Sequence, residues 1–245
     1  MKACVIIPAR FASTRFPGKP LVLLNNKPMV IWVAEGSASA VGKENVYIAT
    51  DDKKIADAVN SYGFQYLMTS PNCLTGTDRV AEASLQINYD IIINVQGDEP
   101  LVRPNDILNA ISLKKSQPSF VVNGFTPITV SEDAESLNIP KLVINESNTL
   151  LYMSRSLIPG TKDSGKKPHV FLKQVCIYAF SPDDLRLFSS FGRKSMLESY
   201  EDIEILRFFD LNRQILMFEC TSGSLAVDIP EDVTAVEDRL SQLNQ

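Results

Sequence analysis

Three cationic side chains follow the first apolar run of the chain, residues 3–7: they are Arg10, Arg15 and Lys19. The run predicts a buried strand, and ligands of α/β proteins bind just outside the carboxyl ends of such strands. Fixed positive charge at that place suits the phosphates of a nucleotide. The segment contains neither the GxxxxGK[ST] of a Walker A loop nor the GxGxxG of a dinucleotide site. Side-chain cations, more than a glycine-rich backbone, are therefore expected to hold the phosphates.

Two carboxylates occupy comparable places later in the chain. Asp98 follows the apolar run 90–95, and Gly97 beside it lets the backbone approach a ligand closely. Asp228 follows a short apolar run and precedes Pro230. A hard divalent cation takes carboxylate and phosphate oxygens together, so the pair predicts a metal–triphosphate site. Each also has a plainer interpretation, because Gly-Asp-Glu-Pro forms turns and an aspartate before a helix caps it.

A threonine-containing segment, residues 75–79 with the sequence TGTDR, opens a predicted helix. Its backbone N–H groups and hydroxyls suit the recognition of a base or a ribose. The same residues also make an ordinary helix start, which is the interpretation that the segment by itself favours.

A row of acids, Glu198, Glu201 and Glu204, steps by three through a helix predicted over residues 197–212. Residues at this spacing share one face of a helix. The row is either a solvated face or a surface that accepts hydrogen bonds from a polyhydroxylated substrate. Isolated basic residues of the middle region are candidate partners of a substrate carboxylate, or else surface charges; they are Arg155 and Lys173.

Composition limits the class of protein. The 245 residues are 44% hydrophobic, enough for one large domain, and the net charge of −5 argues against general binding of nucleic acid. No apolar run approaches the ~18 residues of a membrane span. Four scattered cysteines favour reduced thiols in the cytoplasm. The single histidine, His169, is expected on a surface loop, so histidine-based catalysis or metal binding is not expected.

Strands and helices alternate through the first 125 residues, which predicts an α/β protein with a doubly wound, mostly parallel sheet. The pattern then loosens, and residues 126–180 are expected to form a smaller antiparallel lobe, with a dimer contact, inserted in one domain of residues 1–245. Predicted strands cover residues 3–7, 46–50, 64–68, 90–95, 119–125, 141–144, 150–154, 170–180 and 215–219. Predicted helices cover residues 28–41, 53–62, 77–87, 105–115, 182–191, 197–212 and 230–243.

Taken together, the motifs resemble those of one family. Their order is IIPARFASTRFPGKPL, TGTDR, NVQGDEP, LYMSRSLIP, LKQVCIYAF, LESYEDIEILR and VDIPED. This is similar to the CMP-KDO synthetases, the 3-deoxy-manno-octulosonate cytidylyltransferases, over nearly the whole chain. The resemblance implies a nucleotidyltransferase-type fold, a cytoplasmic enzyme that uses CTP and Mg²⁺, a sugar acid for lipopolysaccharide or capsule synthesis, and a homodimer formed through the smaller lobe.

The resemblance also implies roles for individual positions. Catalysis falls to Arg10, Arg15, Lys19, Asp98 and Asp228, and the two aspartates are also the Mg²⁺ ligands. Nucleotide binding falls to Ala9, Arg10, Ser13, Arg15, Lys19, Gly76, Thr77, Asp78, Arg79 and Asp98. Sugar binding falls to Gln96, Arg155, Gln174, Tyr178, Glu201 and Glu204.

Departures from the family pattern lie at the sugar end. Gln174 stands where the family commonly has histidine, Cys176 where it has glycine, and Ile205 where it has glutamine. The acceptor implied is KDO or a close analogue such as the 8-amino-8-deoxy sugar, with a sialic-type acid as an alternative. A non-catalytic nucleotide-binding module is a further alternative, which the paired metal carboxylates disfavour. A Rossmann dehydrogenase is disfavoured by the missing glycine fingerprint.

Overall fold

A computed structural model of the chain describes residues 1–12, 16–130, 132–162, 170–221, 225–227 and 229–243. The strands are β1 (Ala3–Ala9), β2 (Leu23–Leu24), β3 (Lys27–Pro28), β4 (Val46–Thr50), β5 (Gln65–Met68), β6 (Ile91–Val95), β7 (Val121–Pro127), β8 (Lys141–Ile144), β9 (Leu150–Ser154), β10 (Leu172–Phe180) and β11 (Ile215–Glu219). The α-helices are α1 (Met29–Val41), α2 (Lys53–Ser61), α3 (Gly76–Ser84), α4 (Pro104–Ser116), α5 (Pro182–Ser190), α6 (Met196–Glu201), α7 (Arg207–Asp210) and α8 (Asp232–Leu243).

One large sheet organises the fold, in the order β11–β7–β10–β6–β1–β4–β5. β1 pairs in parallel with β4 and β6, β4 with β5, and β7 with β11. β10 is antiparallel to both of its neighbours, β6 and β7, so these two strands point the same way. The carboxyl ends of β1, β4, β6, β7 and β11 therefore meet at one edge of the sheet, which we call the carboxyl edge.

The antiparallel part of the fold lies at the same edge. β8 pairs with β9, and it also pairs with the first residues of β10, Leu172 and Lys173. Because β10 runs against the parallel strands, its first residues lie where those strands end. This part falls within the predicted lobe, residues 126–180, and its role as a dimer contact stays a prediction.

Helices cover both faces of the sheet. One core contains buried residues of α1, α2 and α4, such as Ile31, Ile55 and Ile107. The opposite core contains buried residues of α3 and α5, such as Val80 and Phe188, together with residues of α7. The strands between them are near-continuous apolar runs, as expected when both faces of a parallel sheet are covered. The prediction of a doubly wound, mostly parallel α/β fold with a smaller antiparallel part is confirmed.

A third, smaller core attaches the end of the chain to the carboxyl edge. Leu24 and Met29 pack there with Leu101. Val227 and Leu240 complete it from the C-terminal segment, and both are buried. Residues on either side of position 228 are thereby held next to the loop that follows β6.

The helix predicted over residues 197–212 is wrong as one element. α6 stops at Glu201, because Asp202 adopts a left-handed conformation with φ of 50°. A 3-10 turn, Glu204–Leu206, then leads into α7. The three-residue row of acids therefore does not share one helical face.

A hairpin of β2 and β3 was not predicted. Its turn residues Asn25 and Asn26 both have positive φ, 47° and 63°. Asparagine tolerates this conformation better than most residues, and two such residues in succession form the turn that joins short antiparallel strands. No helix among the described residues has the length and apolarity needed to cross a bilayer.

Candidate active site

The end of β1 places the cationic segment at the carboxyl edge. Arg10 follows the strand directly and is exposed, whereas Ala9 is buried. The Gly18 N–H donates to the Phe11 carbonyl at 3.0 Å, so the two ends of the segment meet. Ser13 and Arg15 lie outside the described residues, and their predicted roles stay predictions.

Lys19 and Asp98 come together across 79 positions of sequence. The Lys19 Nζ atom donates to Asp98 Oδ2 at 2.7 Å, and the two side chains are 16% and 25% exposed. A partly exposed pair of this kind contributes about 1 kcal/mol or less to stability. The pair therefore contributes little to stability, but it brings into contact one cation and one carboxylate that are both predicted for catalysis.

The loop after β6 fixes Asp98 by close packing. A Cβ at Gly97 would lie 2.9 Å from the carbonyl oxygen of Pro8, which is backbone and has little room to move. The loop is also a turn, because the Glu99 N–H donates to the Gln96 carbonyl at 3.2 Å. The residues predicted either as a turn or as a metal site therefore do form a turn, and Gly97 allows this turn to lie close to β1.

The C-terminal segment reaches this loop. The Val227 N–H donates to the Asp98 carbonyl at 3.1 Å. Asp228 lies outside the described residues, and α8 begins four residues later at Asp232. Its role as a metal ligand stays a prediction, supported by the position of Val227 beside it. No group of three or more histidine, cysteine or acidic side chains in the described part of the chain is arranged to hold a metal.

The first turn of α3 is held by side chains from a distant segment. Glu204 accepts the N–H groups of Gly76 and Thr77 at 2.9 and 2.8 Å. Burial raises the pKa of the Glu204 carboxyl, although these hydrogen bonds oppose the rise. The Asp78 carboxylate pairs with Arg207 at 2.8 Å. The segment predicted to bind nucleotide is therefore fixed by protein contacts at its amides and at its acid.

Arg79 points away from these partners. It is buried, and its guanidinium donates to Thr69 Oγ1 at 2.5 Å and lies 3.4 Å from Asp51 Oδ2. The structure thus places Gly76, Thr77, Asp78 and Arg79 together, and its contacts position them relative to the sheet.

A polar cluster lies on the sheet face beneath α3. Gln174 Nε2 donates to Tyr178 Oη at 3.2 Å and to Asn123 Oδ1 at 3.0 Å. Burial raises the pKa of Tyr178 well above its ordinary value, so the phenol stays protonated and can donate. Gln96 packs against α3, since a Cβ at Gly76 would lie 2.8 Å from its Nε2. Three of the predicted sugar-binding residues thus surround one region of the sheet.

Two asparagines of this cluster were not predicted. Asn94 and Asn123 are fully buried in β6 and β7. Asn123 donates to the carbonyls of Val175 and Ile177, both at 2.9 Å, where the register of β10 shifts. A signal was available in the sequence, because each asparagine interrupts an otherwise apolar strand, in IIINV and VVNGF.

Arg155 and Glu201 meet each other at the lobe. Both Glu201 oxygens accept hydrogen bonds, from Ser154 Oγ at 2.7 Å and from the Arg155 N–H at 2.8 Å. The Arg155 guanidinium in turn donates to the carbonyls of Glu201 and Asp202 at 2.5 and 3.0 Å. It therefore satisfies carbonyl groups that the end of α6 leaves without helical partners.

The matching family model decides the class of the protein. A model described as Cytidylyltransferase matches residues 4–215. The chain belongs to the cytidylyltransferase family. The expectation of a nucleotidyltransferase enzyme is confirmed, and the alternative of a non-catalytic nucleotide-binding module is set aside.

Curated relatives of this cytidylyltransferase align with it almost end to end. Two are named 8-amino-3,8-dideoxy-manno-octulosonate cytidylyltransferase, from Shewanella baltica (strain OS195) and Shewanella oneidensis, and are 37% and 36% identical. Each alignment covers 98% of this chain and 99% of the relative. The predicted family is confirmed.

Solved structures agree with the fold of this cytidylyltransferase. A CMP:2-keto-3-deoxy-manno-octonic acid synthetase complexed with CTP matches with a TM-score of 0.90 and 35% identity, over 99% of this chain and 100% of that one. A cytidylyltransferase from Leptospira borgpetersenii serovar Hardjo-bovis (strain JB197) matches with a TM-score of 0.65 over 99% of this chain and 87% of that one. At 18% identity, the second match shows the fold alone.

Proposed function

We propose that the protein transfers the cytidylyl group of CTP to a 3-deoxy-octulosonic acid, giving the CMP-sugar and pyrophosphate. The contact between Lys19 and Asp98 at the carboxyl edge carries the proposal, because it joins a phosphate-binding cation to a metal-binding carboxylate. The names of the relatives support the acceptor, since each describes an eight-carbon 3-deoxy sugar acid.

The reaction is a direct displacement at phosphorus. The oxygen of the anomeric hydroxyl forms a bond to the α-phosphorus of CTP, and its proton passes to solvent. The bond from that phosphorus to the bridging oxygen breaks, and pyrophosphate leaves with the electron pair. Arg10, Arg15 and Lys19 stabilise the negative charge that develops on the leaving group, which is the main contribution a protein makes to such a step.

Magnesium fits the donor set at this edge. Asp98 offers carboxylate oxygens on a side chain that is 25% exposed, and the Val227 N–H brings the segment that leads to Asp228 against it. Hard oxygen donors of this type, completed by phosphate, suit Mg²⁺. When bound, the ion offsets phosphate charge and increases the acidity of the anomeric hydroxyl. Before binding, Lys19 balances the charge of Asp98.

The remaining predicted site residues are assigned either to the cytidine or to the sugar acid. The cytidine is assigned to residues 76–79 together with Ala9 and Ser13. Gln96, Gln174 and Tyr178 face the sugar, and their hydrogen-bonding groups suit its hydroxyls. Arg155, Glu201 and Glu204 hold the surrounding backbone in place, and their predicted contact with the sugar acid remains part of the proposal.

One assay tests this function. Pyrophosphate release is measured with each of the four nucleoside triphosphates against KDO, its 8-amino-8-deoxy analogue and a sialic acid, with and without Mg²⁺. The proposal expects turnover with CTP, Mg²⁺ and an octulosonic acid together. Preference for the 8-amino sugar would agree with the Shewanella relatives, and preference for KDO with the solved structure. Turnover with sialic acid alone, or with another nucleotide, would contradict the proposal.

A covalent enzyme intermediate is not expected. Burial raises the pKa of Cys4 and of Cys73 to about 12, so both thiols are protonated at neutral pH and are poor nucleophiles. Mass spectrometry after incubation with CTP and Mg²⁺ alone should therefore find the unmodified protein. A CMP adduct would exclude direct displacement.

A homodimer formed through the lobe, a cytoplasmic location and a role in lipopolysaccharide or capsule synthesis complete the proposal. Large apolar side chains exposed on the lobe support the dimer, among them Leu137, Leu151 and Val170 at 65%, 56% and 53% exposure. Light scattering in solution should give twice the mass of the chain. A monomer at micromolar concentration would contradict this part without affecting the chemistry.

A further inference from the structure

Arg207 is a fully buried cation whose every donor is used. Its Nε and Nη2 atoms donate to Glu198 at 2.8 and 2.7 Å, and Nη1 and Nη2 donate to Asp78 at 2.8 and 3.0 Å. Nη1 also donates to the Phe188 carbonyl at 3.3 Å, and the Phe188 ring lies 3.7 Å below the guanidinium. These five hydrogen bonds match the five N–H donors of a guanidinium.

The arrangement costs more than simple packing would. Two carboxylates surround one guanidinium, and Glu198 and Arg207 are 0% exposed. Buried ion pairs of this kind often stabilise a fold less than apolar side chains of the same volume. Stability alone therefore does not explain the cluster. Its position beside residues 75–79 indicates that it holds this segment in place.

The same short segment holds α3 in a second way. Glu204 lies three positions before Arg207 and accepts the N–H groups of Gly76 and Thr77. Asp78, the partner of Arg207, also accepts from Thr75 Oγ1 at 2.7 Å, within the cap of α3. Glu204 thus binds the amides of this turn, Arg207 binds its acid, and Glu198 binds Arg207. We call Glu198, Glu204 and Arg207 the α3 clamp.

We propose that Arg207 is a positioning residue that sets residues 75–79 in the conformation that receives cytidine before CTP arrives. This inference rests on the proposed function, because it assigns that segment to the nucleotide. The Arg207 fork fixes Asp78 bidentately, and Asp78 fixes the cap residue Thr75. Without the fork, residues 75–79 would have to become ordered when CTP binds, and the free energy of this ordering would reduce the affinity for CTP. The contacts of Glu201 with residues 154 and 155 would not change.

Arg207→Lys tests the proposal, because lysine keeps the charge but lacks the planar fork. CTP affinity is measured by calorimetry with Mg²⁺ and without sugar, and the KM values for CTP and sugar acid are measured separately. Amide exchange of residues 76–79 is followed in the ligand-free protein. We expect CTP binding to weaken by about tenfold or more, amide exchange of these residues to accelerate, and the KM for the sugar acid to change little.

Lys114→Met is the matched control. Lys114 is a comparably buried cation, 2% exposed, which pairs with Asp184 at 2.7 Å and lies on α4. This variant should lose thermal stability without any change in CTP affinity or in the exchange of residues 76–79. If Arg207→Lys loses stability in the same way, with both of those readouts unchanged, the positioning role is wrong.

Glu198→Gln replaces Arg207→Lys if the latter does not fold. This variant removes one charge from the α3 clamp and keeps the ion pair between Arg207 and Asp78. We therefore expect a smaller loss of CTP affinity and a smaller acceleration of exchange at residues 76–79. If CTP affinity and exchange are both unchanged, the proposal is wrong. Failure of the proposed function is distinguishable, because the wild-type protein would then release no pyrophosphate from CTP. The exchange of residues 76–79 needs no ligand, so it still reports whether Arg207 orders this segment if CTP is not the substrate.

Discussion

At the scale of single residues, the candidate site pairs its charges with one another. Lys19 neutralises Asp98 at 2.7 Å, and Arg207 neutralises Asp78 at 2.8 Å. The two pairs differ in exposure, since Lys19 and Asp98 are 16% and 25% exposed whereas Arg207 and Asp78 are 0% and 11% exposed. The Lys19–Asp98 pair can therefore exchange its partners for a metal–nucleotide complex, whereas the Arg207–Asp78 pair stays closed and serves the backbone.

Asp98→Asn should abolish most activity and preserve the fold. The amide keeps the shape of the side chain but loses the charge that we propose holds a divalent cation, and kcat/KM should fall by about 10² to 10³. The melting temperature should change little, because the lost pair is partly exposed. Steady-state pyrophosphate release measures the effect. Asp183→Asn, at an exposed ion pair on α5, is the control and should behave as wild type. Near-normal turnover of Asp98→Asn would exclude the metal role.

At the scale of elements, the sequence predicted the strands whose bounds are set by local patterns of apolar and turn residues. The strands at residues 46–50, 141–144, 150–154 and 215–219 have the predicted bounds, because apolar runs between turn residues define them. The break after α6 was not predictable, since a helical pattern continues through Asp202. Arg155 stabilises the break by taking the carbonyls of Glu201 and Asp202. That contact joins residues 46 and 47 positions apart, and local sequence contains no signal for it.

The same limit applies to the site. Asp98 and the cationic loop were predictable, because both follow buried strands whose carboxyl ends must meet. The α3 clamp was not predictable, because Glu204 and Arg207 contact residues of α3 that lie 128 and 129 positions away in the sequence. The row of acids pointed to the segment that contains Glu198 and Glu204. The predicted shared face was wrong, because it required one continuous helix and α6 ends at Glu201.

Glu132→Gln should reveal a pH-dependent contact between the β7–β8 connection and β10. Glu132 pairs with Lys173 and accepts the Thr129 N–H at 3.0 Å. Burial alone would raise its pKa, but these partners outweigh burial and lower it below the usual 4.5. The folded state then binds fewer protons than the unfolded state, so the stabilisation is present above pH 4.5 and is lost as the pH falls through the lowered pKa.

Urea unfolding at several pH values measures this contribution. At pH 7 the variant should be less stable than wild type by about 1 kcal/mol, and the difference should shrink as the pH falls below 4.5. The exposed Glu135→Gln on the same connection is the control and should show no such pH dependence. A difference that stays constant down to acid pH would contradict the assignment.

At the scale of the whole molecule, the carboxyl edge gathers segments from both ends of the chain. The segment after β1 supplies Lys19, the loop after β6 supplies Asp98, and the third core holds the C-terminal segment next to that loop. Val227 belongs to that core and also donates to the Asp98 carbonyl. The packing of α8 and the geometry at Asp98 are therefore linked, although α8 follows Asp98 by more than a hundred positions.

Leu240→Ala tests this link. Leu240 is buried in the third core with Val227, and its truncation should cost about 2 to 5 kcal/mol of local packing. The looser C-terminal segment should raise the Mg²⁺ concentration needed for half-maximal activity. Leu185→Ala, a buried leucine of α5 in another core, is the control. It should lower the melting temperature without changing the Mg²⁺ dependence, and an equal Mg²⁺ dependence in the two variants would exclude the link.

The most direct measurement is a crystal structure of the protein with CTP and Mn²⁺, in which anomalous scattering locates the ion. We expect one anomalous peak that contacts carboxylate oxygens of both Asp98 and Asp228 and an oxygen of the α-phosphate, with Arg15 and Lys19 on the outer phosphates. A peak bound by the triphosphate alone, or coordinated by neither aspartate, would contradict this expectation.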